Sequence, residues 1–77
     1  MNVSVLNILI MAKIQLNGKK LELKNKNTIL ELLKKYKLES KKIAVELNGK
    51  IINSNKYKTV FVKNRDKLEI VHFIGGG

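Results

Sequence analysis

A chain of 77 residues, 44% hydrophobic and 29% charged with no proline, has room for one small globular domain and is too apolar for a disordered polyelectrolyte. With no cysteine and a single histidine, His72, it has no disulfide scaffold, no thiol nucleophile and no cysteine- or paired-histidine metal centre. The net charge of +10 would suit a small basic nucleic-acid-binding protein, but Arg65 is the only arginine and aromatic stacking residues are few, so base readout and phosphate forks are poorly served.

The first segment, MNVSVLNILIM, is too short to span a bilayer and lacks the basic flank and cleavage site of a signal peptide. Residues 1–11 therefore read as an N-terminal extension, either a frayed tail or an added edge strand, ahead of one domain over residues 12–77. No membrane partner is expected, and the expected address is cytoplasmic.

From Ala12 the text AKIQLNGKKLELK alternates apolar and polar residues on both sides of Asn17-Gly18. Period-two alternation across Asn-Gly predicts two antiparallel strands, because both turn positions need positive φ. NTILELLKKYKL follows, with Thr28 and Glu31 at capping-box spacing. Ile29, Leu32, Leu33 and Tyr36 are spaced along one face of a helix of about three turns, and the lysines near its C-terminal end oppose the negative end of the macrodipole.

IAVELNG predicts a third strand ending in a second Asn-Gly turn, Asn48-Gly49, and KIIN a short fourth. SNKYK reads as a turn or single 3₁₀ turn beginning at Ser54. TVFV and the turn-like KNRD lead to KLEIVHFI, the last and longest strand. The order β-β-α-β-β-β is that of an α+β domain: a mixed sheet of four to five strands with one main helix packed on one face, the ubiquitin-like β-grasp arrangement. Along the last strand, alternation sends Leu68 and Ile70 to the core and Glu69, Val71 and Phe73 to the opposite, helix-free face. Val71 and Phe73, with Glu69, are then the expected partner-docking patch, and His72 is expected to be partly buried as a structural or tail-orienting residue.

The chain finishes on Gly75, Gly76 and Gly77. Without Cβ atoms such a tail is thin and permissive, suited to carrying a carboxylate into a narrow active site of another protein. A bare carboxylate is a poor electrophile, and a mixed anhydride with AMP gives it a good leaving group.

In KIQLNGKKLEL, VELNGKII and EIVHFIGGG the chain resembles the ThiS family, the sulfur carrier proteins of bacterial thiamine biosynthesis within the ubiquitin-like superfamily. That resemblance implies a cycle. A ThiF-class adenylyltransferase, using ATP and Mg²⁺, adenylates Gly77; sulfur from a persulfide donor, ultimately a cysteine desulfurase, converts it to a thiocarboxylate; thiazole synthase accepts the sulfur. The domain itself would bind no cofactor and have no active site of its own. The sulfur carrier subunit of molybdopterin synthase is the nearest alternative. Relatives often carry Asp-Gly-Asp where this chain has Asn64-Arg65-Asp66, and Asn64 is expected to take the left-handed position that the glycine would occupy.

Overall fold

A computed structural model describes residues 12–72. The N-terminal extension and residues 73–77 lie outside them. Two strands, β1 (Ala12–Leu16) and β2 (Lys19–Leu23), form the first hairpin. Helix α1 (Ile29–Lys35) follows, then β3 (Ile43–Leu47), β4 (Lys50–Ile52) and β5 (Lys67–His72). The sheet order is β2-β1-β5-β3-β4, with β1 parallel to β5 at the centre and the other neighbours antiparallel. The order of elements is the one expected, and the sheet has five strands.

Both Asn-Gly pairs turn as their chemistry dictates. Asn17 and Gly18 have φ of 49° and 82°, and Asn48 and Gly49 of 52° and 86°. Two successive left-handed residues match the right-handed twist of the flanking strands. Alternation then buries Ala12, Ile14, Leu23, Ile43, Val45, Leu68 and Ile70 against Ile29, Leu32 and Leu33 of α1.

The start of α1 is a complete capping box: the Glu31 N–H donates to Thr28 Oγ1 at 3.1 Å, and the Thr28 N–H donates to Glu31 Oε1 at 2.8 Å. Its next free donors are met from outside the helix. The Ile29 N–H reaches the Val60 carbonyl and the Leu30 N–H that of Tyr57, each at 2.9 Å, while the Val62 N–H closes onto the Asn27 carbonyl at 2.8 Å. The segment between β4 and β5 is thereby sealed over the helix N-terminus, burying Tyr57 and Val62. A 3₁₀ turn at Ser54–Lys56 starts that segment, as expected, and TVFV contributes one isolated bridge, Thr28 to Phe61.

Helix α1 has seven residues and is shorter than its apolar spacing predicts. Lys37 turns left-handed at φ 58°, the Leu38 N–H bonds the Leu33 carbonyl and the Lys37 N–H bonds that of Lys34. This is a Schellman stop, and it leaves Tyr36 40% exposed at the cap rather than on the buried face. Replacing Lys37 with Gly, which adopts this conformation without the Cβ clash, is expected to stabilise the fold by about 0.5–1 kcal/mol. Thermal unfolding would read this as a rise of roughly 2–8 °C; an unchanged or lower midpoint would contradict it.

The turn before β5 also differs from expectation. The left-handed residue is Arg65, at φ 72°, and not Asn64. The Asp66 N–H bonds the Lys63 carbonyl at 3.1 Å, so Arg65 is the third residue of the turn, where a single positive φ is required. Asn64 serves through its side chain instead, its Oδ1 accepting the Lys13 N–H at 2.8 Å.

Candidate functional site

Strand β5 leads to the glycine tail, so the site begins with what holds β5 in place. Its two neighbours each contribute a turn asparagine. The left-handed backbone of Asn17 aims its amide along β5: Oδ1 accepts the Ile70 N–H at 2.7 Å and Nδ2 donates to the Ile70 carbonyl at 3.3 Å. The Asn17 main-chain N–H adds a bond to the Leu68 carbonyl at 2.9 Å. One side chain thus continues the β1–β5 ladder past the end of β1.

Asn48 does the same from the other side. Its Oδ1 accepts the Lys67 N–H and its own N–H donates to the Lys67 carbonyl, both at 2.8 Å. Its Nδ2 donates to Asp66 Oδ1 at 2.9 Å, and Asp66 Oδ2 accepts the Lys63 N–H at 2.7 Å. Sequence reading identifies both asparagines as turn formers and misses their hold on β5. The Asn17 contacts join residues 53 positions apart, and no local pattern reports such a pairing.

With β5 so fixed, its odd-numbered residues face away from α1. Leu68 and Ile70 are buried, and Glu69 and Val71 are exposed. Register places Ile51, Glu46 and Glu69 in one row across β4, β3 and β5, and Ala44 beside Val71 in the next. Val71 is 59% exposed and Ile51 75%, so two aliphatic side chains flank two carboxylates. Glu46 directly opposite Glu69 is a like-charge pair, costing on the order of 0.2–1 kcal/mol against an uncharged pair. Among the described residues neither carboxylate has an ion-pair partner, although the chain carries a net charge of +10.

His72 is exposed, which corrects the expectation of partial burial. It pairs with Ile43 at the last register position, where β5 has run on past its β1 neighbour, whose pairing ends at Leu16 and Leu68, so inward parity no longer brings burial. Phe73 and Gly75, Gly76 and Gly77 lie outside the described residues. Among the described residues there is no group of three or more metal-ligating side chains, and no helix is long and apolar enough to cross a membrane.

The arrangement is therefore a rigidly held strand ending close to an exposed apolar and acidic patch. Comparison with known proteins gives it a context. The ThiS family model matches residues 8–77. The chain is 48% identical over 65 residues to the sulfur carrier protein ThiS of Bacillus subtilis, an alignment covering 83% of this chain and 98% of that protein. It is 42% identical over 65 residues to a thiazole synthase of Paramagnetospirillum magneticum, covering 84% of this chain but only 20% of that longer protein. The crystal structure of the thiamine biosynthesis protein ThiS from Geobacter metallireducens superposes with a TM-score of 0.74 at 29% identity, covering 84% of this chain and 99% of that one.

Proposed function

We propose that this chain, which belongs to the ThiS family, is a sulfur carrier of thiamine biosynthesis that bears its sulfur as a thiocarboxylate on Gly77. The observation that carries the reading is that the family match runs through the last glycine, on a fold whose final strand ends at His72, shortly before it in the sequence. Similarity to a segment of a thiazole synthase supports the thiazole branch over the molybdopterin one.

In the first step a Gly77 carboxylate oxygen attacks the α-phosphorus of ATP within a ThiF-class adenylyltransferase, and pyrophosphate leaves. The terminal sulfur of a persulfide then attacks the acyl carbon and expels AMP. A second thiol of the donor cleaves the resulting acyl disulfide, leaving the thiocarboxylate on the carrier and a disulfide on the donor. Mg²⁺ and ATP belong to the adenylyltransferase, and thiazole synthase receives the sulfur. The carrier's own contribution is delivery: the asparagine-clamped β5 sets the origin of the tail, and the glycines let it thread a narrow channel.

Intact mass measured after incubation with ATP, a ThiF-class adenylyltransferase and a persulfide donor tests the reading. The expected product has one oxygen replaced by sulfur. An unchanged mass, with the same enzymes active on another carrier, would overturn it.

Docking is assigned to the patch of Glu69, Val71 and Phe73. Val71→Asp is expected to raise the Kd for the adenylyltransferase at least about tenfold, as loss of an apolar anchor does. Because the side chain is 59% exposed, thermal stability should change little. A large drop in Tm with normal binding would place Val71 in the fold and not in the interface.

A further inference from the structure

The open face of the sheet is divided by charge. Glu46 and Glu69 occupy the β3–β5 half. The other half, across β2, β1 and the start of β5, carries Lys20, Gln15 and Lys67 in one row and Glu22 beside Lys13 in the next. A cavity of about 740 Å³ opens there, lined by Lys13, Lys20, Arg65 and Lys67 together with Glu22 and Asp66. Four cations thus stand against two carboxylates in the lining, and both Asp66 oxygens are turned to hydrogen bonds with the Asn48 amide and the Lys63 N–H.

Arg65 stands out among them. It is the chain's single arginine, it holds a left-handed backbone that favours glycine, and it lines this cavity. Guanidinium forks recognise carboxylates in a way that lysine does not.

We propose that this basin is a second docking point, remote from the tail, that seats an acidic segment of thiazole synthase. This rests on the sulfur-carrier reading above and specifies its partner surface. A thiazole synthase that contains a segment 42% identical to this chain keeps the two as covalent neighbours, which makes that enzyme the natural occupant. Nucleic acid fits less well: Glu22, Glu46, Asp66 and Glu69 share the face or its rim and would repel a phosphate backbone. The basin lies about 17 Å along β5 from the strand's end, so a partner that touches the basin and receives the tail is oriented as well as held. An acidic segment over the basin and a basic one over Glu46 and Glu69 would admit one orientation and penalise the reverse.

The test compares binding of the full chain to thiazole synthase for the wild type, for the basin variant Lys13→Gln/Lys20→Gln/Lys67→Gln, and for a control of equal charge on α1 and the following turn, Lys34→Gln/Lys35→Gln/Lys41→Gln. The basin variant should lose about tenfold or more in association rate and show a flatter salt dependence, while the control loses less than about threefold. Wild-type binding with equal behaviour of the two variants would overturn the basin and leave the sulfur-carrier reading standing. Failure of the wild type to bind an active thiazole synthase would overturn both. Binding of a single-stranded RNA oligonucleotide that the basin variant loses more strongly than it loses the enzyme would reassign the basin to nucleic acid.

Discussion

Deleting Gly77 is expected to abolish adenylation and thiocarboxylate formation while leaving the folded domain intact. Removing one residue draws the carboxylate back by up to about 3.5 Å. In-line attack on phosphorus needs the reacting atoms within about 3–3.5 Å, and a misplacement of only about 1 Å can cost a hundredfold in rate. Gly76, although it offers the same carboxylate, would therefore be a poor replacement. Among the described residues the buried core ends at Ile70, so unfolding should be unaffected. ATP–pyrophosphate exchange in the presence of the adenylyltransferase measures the first step, and intact mass measures the second. Exchange at the full-length rate from the shortened chain would mean that the tail is not the substrate.

The second large effect is on stability, at Asn17→Ala. The change removes both side-chain bonds to Ile70, leaves a part-buried N–H and carbonyl unpaired, and forces a residue with a Cβ but no local hydrogen bond into φ 49°. Together these cost about 2–4 kcal/mol, against a total of roughly 4–12 kcal/mol for a chain of this length. Thermal unfolding should show a midpoint lower by more than about 10 °C. Asn17→Gly removes the same bonds but relieves the backbone, so it should recover about 1 kcal/mol of the loss. Asn17→Asp keeps the acceptor for the Ile70 N–H and should fall between the alanine variant and the wild type. A midpoint for Asn17→Ala within about 2 °C of the wild type would show that the β1–β5 ladder does not depend on this side chain.

These two predictions bear on one device from opposite ends. Asn17 and Asn48 fix β5 against its neighbours, and β5 is the last strand before the tail in the sequence. Asn17→Ala at a temperature where the domain is still folded should also slow adenylation, since the origin of the tail is then less well defined.

The local grammar of the chain carried most of its architecture. Asn-Gly between alternating runs specifies a hairpin because two successive positive φ values suit few other residue pairs, and Thr28 with Glu31 specifies a helix start because each side chain reaches the other's main chain over three residues. Such signals act within four residues, and the chain can read them before it has folded.

Tertiary structure decided the rest. Helix α1 stops at Lys35 because Leu38 reaches back to the Leu33 carbonyl, cutting short an apolar pattern that would otherwise continue. Arg65 is left-handed because it is the third residue of the turn closed by the Asp66 N–H on the Lys63 carbonyl, with its own N–H held on the Lys13 carbonyl across the sheet. His72 is exposed because β5 runs on past the end of its β1 neighbour. The facing carboxylates of Glu46 and Glu69 and the basin between Lys13, Lys20, Arg65 and Lys67 exist only through strand register. Register between β1, β5 and β3 is chosen by burial of Leu68 and Ile70 and by the amides of Asn17 and Asn48, interactions between residues far apart in sequence that become neighbours only when the sheet closes.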